Sequence, residues 1–236
     1  MGMPPCNRIL NCSPDVIPGS NSNPELFAER HKDMPYQLFT NIFDAARYGS
    51  VNEVKYCVEK SDFDINLFDD EDILTPLHHA AISNSVEVVQ FLISQGSNIH
   101  ARNFDDDTPL HLAAYTNSVE VIKYLISQGS SIHAENKHGH TPLHMAAYRN
   151  SVEVVEHLIS QGSSVLVADK VGLTPLHIAA FNNSVDVVKV LILRGSDVFA
   201  KSFDGCMLFI FSNLTPLDLA DTDEKKQVLC EAMQRT

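Results

Sequence analysis

The chain contains no CxxC and no regular cysteine spacing: Cys6, Cys12, Cys57, Cys206 and Cys230 are scattered and odd in number. That pattern argues against a disulfide ladder or a cysteine zinc knuckle and reads as reduced thiols of an intracellular protein. Basic side chains are scarce, 17 against 30 acidic ones, for a net charge of −13. A nucleic-acid backbone or an anionic membrane surface would be repelled at long range, so neither is an expected partner. Long apolar runs are missing too, and nothing approaches the roughly 18 residues that a membrane span requires. The opening MGMPPCNRIL has no apolar leader segment, so neither export nor a membrane span is expected. Catalytic signatures are also lacking: there is no phosphate-binding loop, no nucleophile elbow and no HExxH.

What the chain does have is a period. The tripeptide TPL begins at Thr75, Thr108, Thr141, Thr174 and Thr215, at spacings of 33, 33, 33 and 41 residues. Nearly copied text follows each of the first four: NSVEVVQFLISQGS from Asn84, NSVEVIKYLISQGS from Asn117, NSVEVVEHLISQGS from Asn150 and NSVDVVKVLILRGS from Asn183. Thr at a helix N-cap, Pro in the first turn and then Leu, Ala and Ala predict a short helix with a small-residue face. Asn reverses the chain, Ser starts a second helix, and Val, Val, Leu and Ile recur in it at helical spacing. Gly96, Gly129, Gly162 and Gly195 end that helix, and an extended run with Asn, Asp and Gly turns back to the next TPL.

This unit, headed by TPLHxAA, closely resembles the ankyrin repeat. The resemblance covers residues 70 to 236, and a degenerate copy precedes it in which Ala45 and Ala46 take the places of Ala80 and Ala81. It implies an all-α solenoid of six stacked helix-turn-helix units with projecting β-hairpin loops, approximately 36–69, 70–102, 103–135, 136–168, 169–201 and 202–236. Residues 1–35, dense in proline and carrying PGSNSNPE, read as a disordered N-terminal segment. The terminal units need polar outer faces, and DEKKQ is expected to solvate the last helix. Ile73 and Asp106 stand where the resemblance expects a loop glycine, and a β-branched Ile73 should turn the DDEDIL segment differently. The eight-residue excess before the last TPL holds the apolar run Met207–Phe211. Three readings stand for it: an insertion folded onto the last repeats, a partner-binding plug, or an error in the gene's reading.

Eleven histidines, three of them within HGHTPLH at 138–144, invite a metal site. His78, His111, His144 and His177 are one position repeated by stacking, roughly 8–10 Å apart. Zinc bonds of about 2 Å need donors about 3–3.5 Å apart, so no metal and no cofactor is expected. The resemblance gives these four a structural role. DDED and FDDD at 69–72 and 104–107 lack the ligand spacing of a calcium loop.

Function should sit where otherwise copied units differ. At the loops these positions are Phe104, Asp105, Asp107, Lys137, His138, His140, Lys170, Val171, Leu173, Phe203 and Asp204. On the first helices they are Tyr115, Thr116, Tyr148, Arg149, Phe181 and Asn182. The aromatic column Tyr48, Ile82, Tyr115, Tyr148, Phe181 suggests anchors on a concave face. Acidic Asp105 to Asp107 suggest a protein partner with a basic segment, and His138 with His140 suggest pH-sensitive binding. The expectation is a monomeric, non-enzymatic, cytoplasmic adaptor, with the nucleus left open. A regulatory or inhibitory subunit that blocks or positions a partner enzyme is the alternative.

Overall fold

The computed structural model describes residues 41–60, 64–70, 73–182, 185–203 and 213–235. The sequence expectations for residues 1–35, Asp204 and Met207–Phe211 fall outside them. Among the described residues there are twelve helices and no strand. They form six consecutive pairs: α1 (Ile42–Tyr48) with α2 (Val51–Lys60), α3 (Pro76–Ile82) with α4 (Val86–Ser94), α5 (Pro109–Tyr115) with α6 (Val119–Ser127), α7 (Pro142–Tyr148) with α8 (Val152–Ser160), α9 (Pro175–Phe181) with α10 (Val185–Leu193), and α11 (Pro216–Leu219) with α12 (Asp223–Met233). The odd helices pack in one row and the even helices in a second, each against its neighbours. The stacked, all-α solenoid is therefore present. Its loops are hairpin-shaped turns without a strand ladder: in one, the Asn103 N–H donates to the Asp107 carbonyl at 3.1 Å and nothing regular extends the pair.

The repeated residues make these elements for local reasons. Each TPL threonine sits in extended backbone, φ −82° to −94° and ψ 163° to 168°, one residue before a helix that opens on proline. Asn84, Asn117 and Asn150 take the left-handed turn at φ 57–59°, which asparagine accepts at low cost. Between the rows the paired alanines are wholly buried, as are Leu77, Leu110, Leu143 and Leu176 and the Val-Val…Leu face of the outer helices α4, α8 and α10, with Val121, Ile122 and Leu125 on α6. Each such leucine contributes about 2 kcal/mol through burial alone.

Four departures have physical causes. Ile73 does adopt positive φ, 56°, in register with Asp106, Gly139, Gly172 and Asn213. What differs is loop length: the Asp69 N–H closes on the Leu74 carbonyl, one residue further along than Asn103 on Asp107. Ser85, Ser118 and Ser151 stand at helix starts, yet none caps with its side chain; ψ values of 73–90° turn the hydroxyl away from the first-turn N–H groups. Lys225, expected to solvate the last helix, is buried: its ammonium donates to the Ala180 carbonyl at the end of α9 and is balanced by Asp221. Finally, Ala232 stands where Leu92, Leu125, Leu158 and Leu191 fill the other outer helices. A groove of about 740 Å³ lined by Ile192, Val198, Val228 and Ala232 opens there between α10 and α12.

The TPLH histidines join the units. The Thr75 N–H donates to His78 Nδ1 at 3.1 Å, while His78 Nε2 lies 3.1 Å from the Asp107 carbonyl of the next loop. His111 reaches the His140 carbonyl, His144 the Leu173 carbonyl and His177 the Leu214 carbonyl in the same way, at 3.0, 3.2 and 3.1 Å. An acceptor at Nδ1 and a donor at Nε2 define the neutral imidazole. Burial pushes His78 and His111 down to about 4 and His144 to about 3, and it lowers His177 as well.

Two predictions follow from this packing. The ladder histidines have folded pKa values below the unfolded value of about 6.5, so the unfolded chain binds more protons. Their stabilisation is complete above about pH 6.5 and is lost as pH falls toward about 4. Urea titrations should show stability falling by nearly one proton's worth per ladder histidine across that window; a flat profile would remove the neutral ladder from the account. Among the described residues the hydroxyls of Ser97, Ser130, Ser163 and Ser196 are buried without a hydrogen-bond partner, so converting all four to Ala should raise stability by about 1 kcal/mol per site. Thermal melting followed by circular dichroism checks this.

Candidate functional site

The connections between units share one closure. Asp69, Asn103, Asn136, Asp169 and Ser202, each at a loop base, use a side-chain oxygen to accept the N–H of Leu74, Asp107, His140, Leu173 and Leu214, at 3.0, 2.8, 3.0, 2.8 and 3.0 Å. With its base fixed, each tip is positioned against the next. The Lys137 N–H donates to the Asp105 carbonyl at 2.9 Å, Lys170 to His138 at 3.0 Å and Phe203 to Val171 at 3.0 Å. The approach is close enough that a Cβ on Gly172 would lie 2.5 Å from the Phe203 nitrogen. Only glycine fits there, both for that contact and for its φ of 85°.

The tips form an exposed row. Phe104 is 70% exposed and Phe203 55%. The Lys137 ammonium pairs with the Asp105 carboxylate and lies 4.5 Å from the Phe104 ring centroid, a cation–π geometry. The Lys170 ammonium donates to the Lys137 carbonyl at 2.6 Å. His138 and Val171 are half-buried beside them.

Burial removes three candidates from this row. Asp107, His140 and Leu173 directly precede TPL, at the loop base rather than the tip, and are 4%, 8% and 3% exposed. Their variation reports contacts between units. Asn136 Nδ2 donates to Asp107 Oδ1 at 2.8 Å, and His140 Nε2 lies 3.1 Å from Asp169 Oδ2. A related pair, 2.7 Å apart, links His79 Nε2 to Asp69 Oδ2. The acidic surface inferred from Asp105 to Asp107 shrinks accordingly: Asp107 is buried, Asp105 is paired, and Asp106 remains exposed.

On the first helices the candidates divide likewise. Tyr115 is 5% exposed and belongs to the core, its ring stacked on Tyr148 at 5.9 Å and 19°. The Arg149 guanidinium lies 4.9 Å from the Tyr115 centroid. Tyr148 and Phe181 are half-buried and Arg149 is exposed, so these three present surface. Thr116 is tied down by hydrogen bonds to the Leu112 carbonyl and Ser118 Oγ, both 2.9 Å. Asn182 Nδ2 is buried without a partner among the described residues. Matching Ala46 to Ala81 puts Arg47, not Tyr48, in register with Ile82, which shortens the aromatic column to Tyr115, Tyr148 and Phe181.

Comparison with known proteins agrees with this architecture. Profiles described as "Ankyrin repeats (3 copies)" and "Ankyrin repeats (many copies)" match residues 110–202 and residues 42–93 and 77–126. Among curated proteins the chain is similar to a "Palmitoyltransferase akr1" of Emericella nidulans, 33% identical over 75 residues, which are 32% of this chain and 10% of that protein. It is similar to the protein of that name from Neurospora crassa, 32% identical over 90 residues, 38% of this chain and 12% of that one. A "Palmitoyltransferase AKR1" of Gibberella zeae is 39% identical over 62 residues, 26% of this chain and 8% of that protein. The matched stretch is thus about a tenth of each relative's length. The profile matches together run from residue 42 to residue 202, and the helix pairs and TPLH ladder coincide with them: the chain belongs to the ankyrin-repeat family.

Proposed function

We propose that the chain is a non-enzymatic adaptor whose stacked loop tips and inner helix ends bind another protein. Ankyrin repeats generally mediate protein–protein interaction. The observation that carries the reading here is the row of tips held backbone to backbone with Phe104 and Phe203 exposed at it. Rigid aromatic side chains lose little freedom on binding and so make efficient anchors. Tyr148, Arg149 and Phe181 continue the surface onto the inner helices. The net charge of −13, with Asp106 exposed, supports a partner with a basic segment.

A second reading has one observation in its favour. Relatives named palmitoyltransferases carry the matched stretch as 8–12% of a longer chain, which suits an array that positions an enzyme. In this reading the chain holds or blocks a partner enzyme's active site. Adding the purified array to a co-purified enzyme and measuring its rate separates the two: a change supports the regulatory role, and no change supports the adaptor.

The surface itself is tested by substitution. Phe104→Ala with Tyr148→Ala should weaken binding to an affinity-purified partner by tenfold or more, since central aromatic anchors contribute about 2 kcal/mol or more each. The melting temperature should barely move for Phe104→Ala. Tyr115→Ala is the contrast, lowering stability by about 3 kcal/mol because its ring is core. Full binding by the double variant, measured calorimetrically, would discard the tips and inner helix ends as the interface.

A further inference from the structure

The outer row departs from its own copies, near its C-terminal end, in one direction only. At the end of the outer helix, Ser94, Ser127 and Ser160 each donate a hydroxyl to a carbonyl of the preceding turn, at 2.6, 2.7 and 2.6 Å. The next copy has Leu193 in that place, 81% exposed. In a neighbouring column His100 and His133 give way to Leu166 and Phe199, 58% and 51% exposed. Packing within the chain explains none of the three, and Leu193 in addition forfeits a hydrogen bond that its counterparts make. Single apolar residues on a surface are ordinary, whereas contiguous ones mark contact sites. Leu193 and Phe199 both line the groove of about 740 Å³ between α10 and α12, together with Ile192, Val198 and Val228.

We propose that a second copy of this chain occupies this surface, in a two-fold contact in which Leu193 and Phe199 of each copy enter the groove of the other. Shape is the first argument for that occupant. In a two-fold contact one patch must both project and receive, and here exposed apolar side chains stand at the edge of an apolar hollow. A hollow of that volume accepts a drug-sized molecule, so it has room for more than one side chain. Charge is the second argument. The chain carries −13, so two copies repel one another at long range. The lining of the groove is balanced instead, Asp197 and Glu231 against Lys189 and Arg235. Lys189 is held loosely, 3.9 Å from both Asp186 and Glu224, and Arg194 beside Leu193 is paired with Glu156 at 3.2 Å. A balanced rim meets its own image with the cations of one copy facing the anions of the other, whereas a strongly acidic or strongly basic partner gains nothing from it. Such a dimer departs from the monomer expected from the sequence. Joined through their outer rows, two arrays would present two rows of tips and hold a repeated partner more tightly without any new contact. That consequence rests on the reading of the tips as the interface; the dimer does not.

Sedimentation equilibrium of the full chain from about 1 to about 200 µM tests the contact, since a small interface gives a weak dimer. The average mass should climb from one chain toward two and stop there, because a two-fold contact closes on itself. A mass of one chain throughout overturns the proposal, as does a mass that passes two. Leu193→Ser with Phe199→His restores the residues of earlier copies, so its melting should match wild type while its dimerisation weakens tenfold or more. Undiminished dimerisation of that variant overturns the assignment to this surface. Charge reversal identifies the occupant. Arg235→Glu and Glu231→Lys should each self-associate more weakly than wild type at low salt, and an equimolar mixture of the two should recover the association; no recovery overturns the self-complementary rim. A monomeric wild type whose binding to another protein is lost in Leu193→Ser with Phe199→His would give the surface to that protein and overturn the second copy. These substitutions leave Phe104 and Tyr148 in place, so failure of the dimer and failure of the tip surface are separately visible.

Discussion

The structure depends on an uncharged imidazole in the first turn of a short helix. His78, His111, His144 and His177 each complete a threonine cap through Nδ1 and hold the next loop's carbonyl through Nε2. A seven-residue helix is too short to persist alone, and no unit has enough apolar surface to fold without its neighbours. One ring therefore settles two local deficits, the open N-terminus of its own helix and the unpaired carbonyl of the following loop. Once those are tied, the alanine pairs can close to backbone contact and the leucines of the two rows meet. In the last unit Asp218 takes the histidine's place and, among the described residues, its hydrogen bonds go to its own Thr215, while α12 is held to α9 through Lys225 and by its apolar face.

The loops inherit their order from this ladder. A carbonyl held by the preceding histidine, a base residue that accepts the loop's own N–H and a tip bonded to the next tip leave little freedom for the connection, even without strands. Their value as a surface comes from that restraint: Phe104 and Phe203 are exposed on a row that does not need to be ordered when something binds. The same restraint explains why Gly172 has no substitute and why Asp106, Ile73 and Asn213, though less suited to positive φ, are tolerated where the neighbouring chain leaves room for a Cβ.

Much of the fold was legible because repetition reveals columns, and a column with fixed chemistry has one structural task. Thr, Pro, Leu and the alanine pair were read correctly for that reason, as was the structural role of the histidines. The candidate site was less legible because variation within a column has two causes. Phe104 and Lys137 vary at a tip open to solvent. Asp107, His140 and Leu173 vary two or three residues away, at the buried loop base, where Asp107 and His140 each contact the residue 29 positions on. The partners, Asn136 for Asp107 and Asp169 for His140, are present in the sequence, but as members of a base column that is polar in every unit they are recognised as partners only once the stacking offset of 29 positions is known. Lys225 escaped for a related reason: a lysine inside a charged run gives no local sign that the carbonyl it satisfies belongs to the helix before.

Copied units also make each departure measurable against an internal reference. Leu92, Leu125, Leu158 and Leu191 show what Ala232 lacks, and a groove lies beside it. Leu74, Leu173 and Leu214 show what Asp107 and His140 displaced. In the first case the change removes packing at a terminal unit, where no following unit within the described chain has to be supported. In the second it places charge at the centre of the array, where every unit supports two neighbours and a weakened joint would be felt on both sides. Ionisable groups persisting in that position are matched, hydrogen-bonded and confined to the loops, leaving the helix rows beneath them apolar. The array can thus vary its loop chemistry without altering the helical stack that carries it.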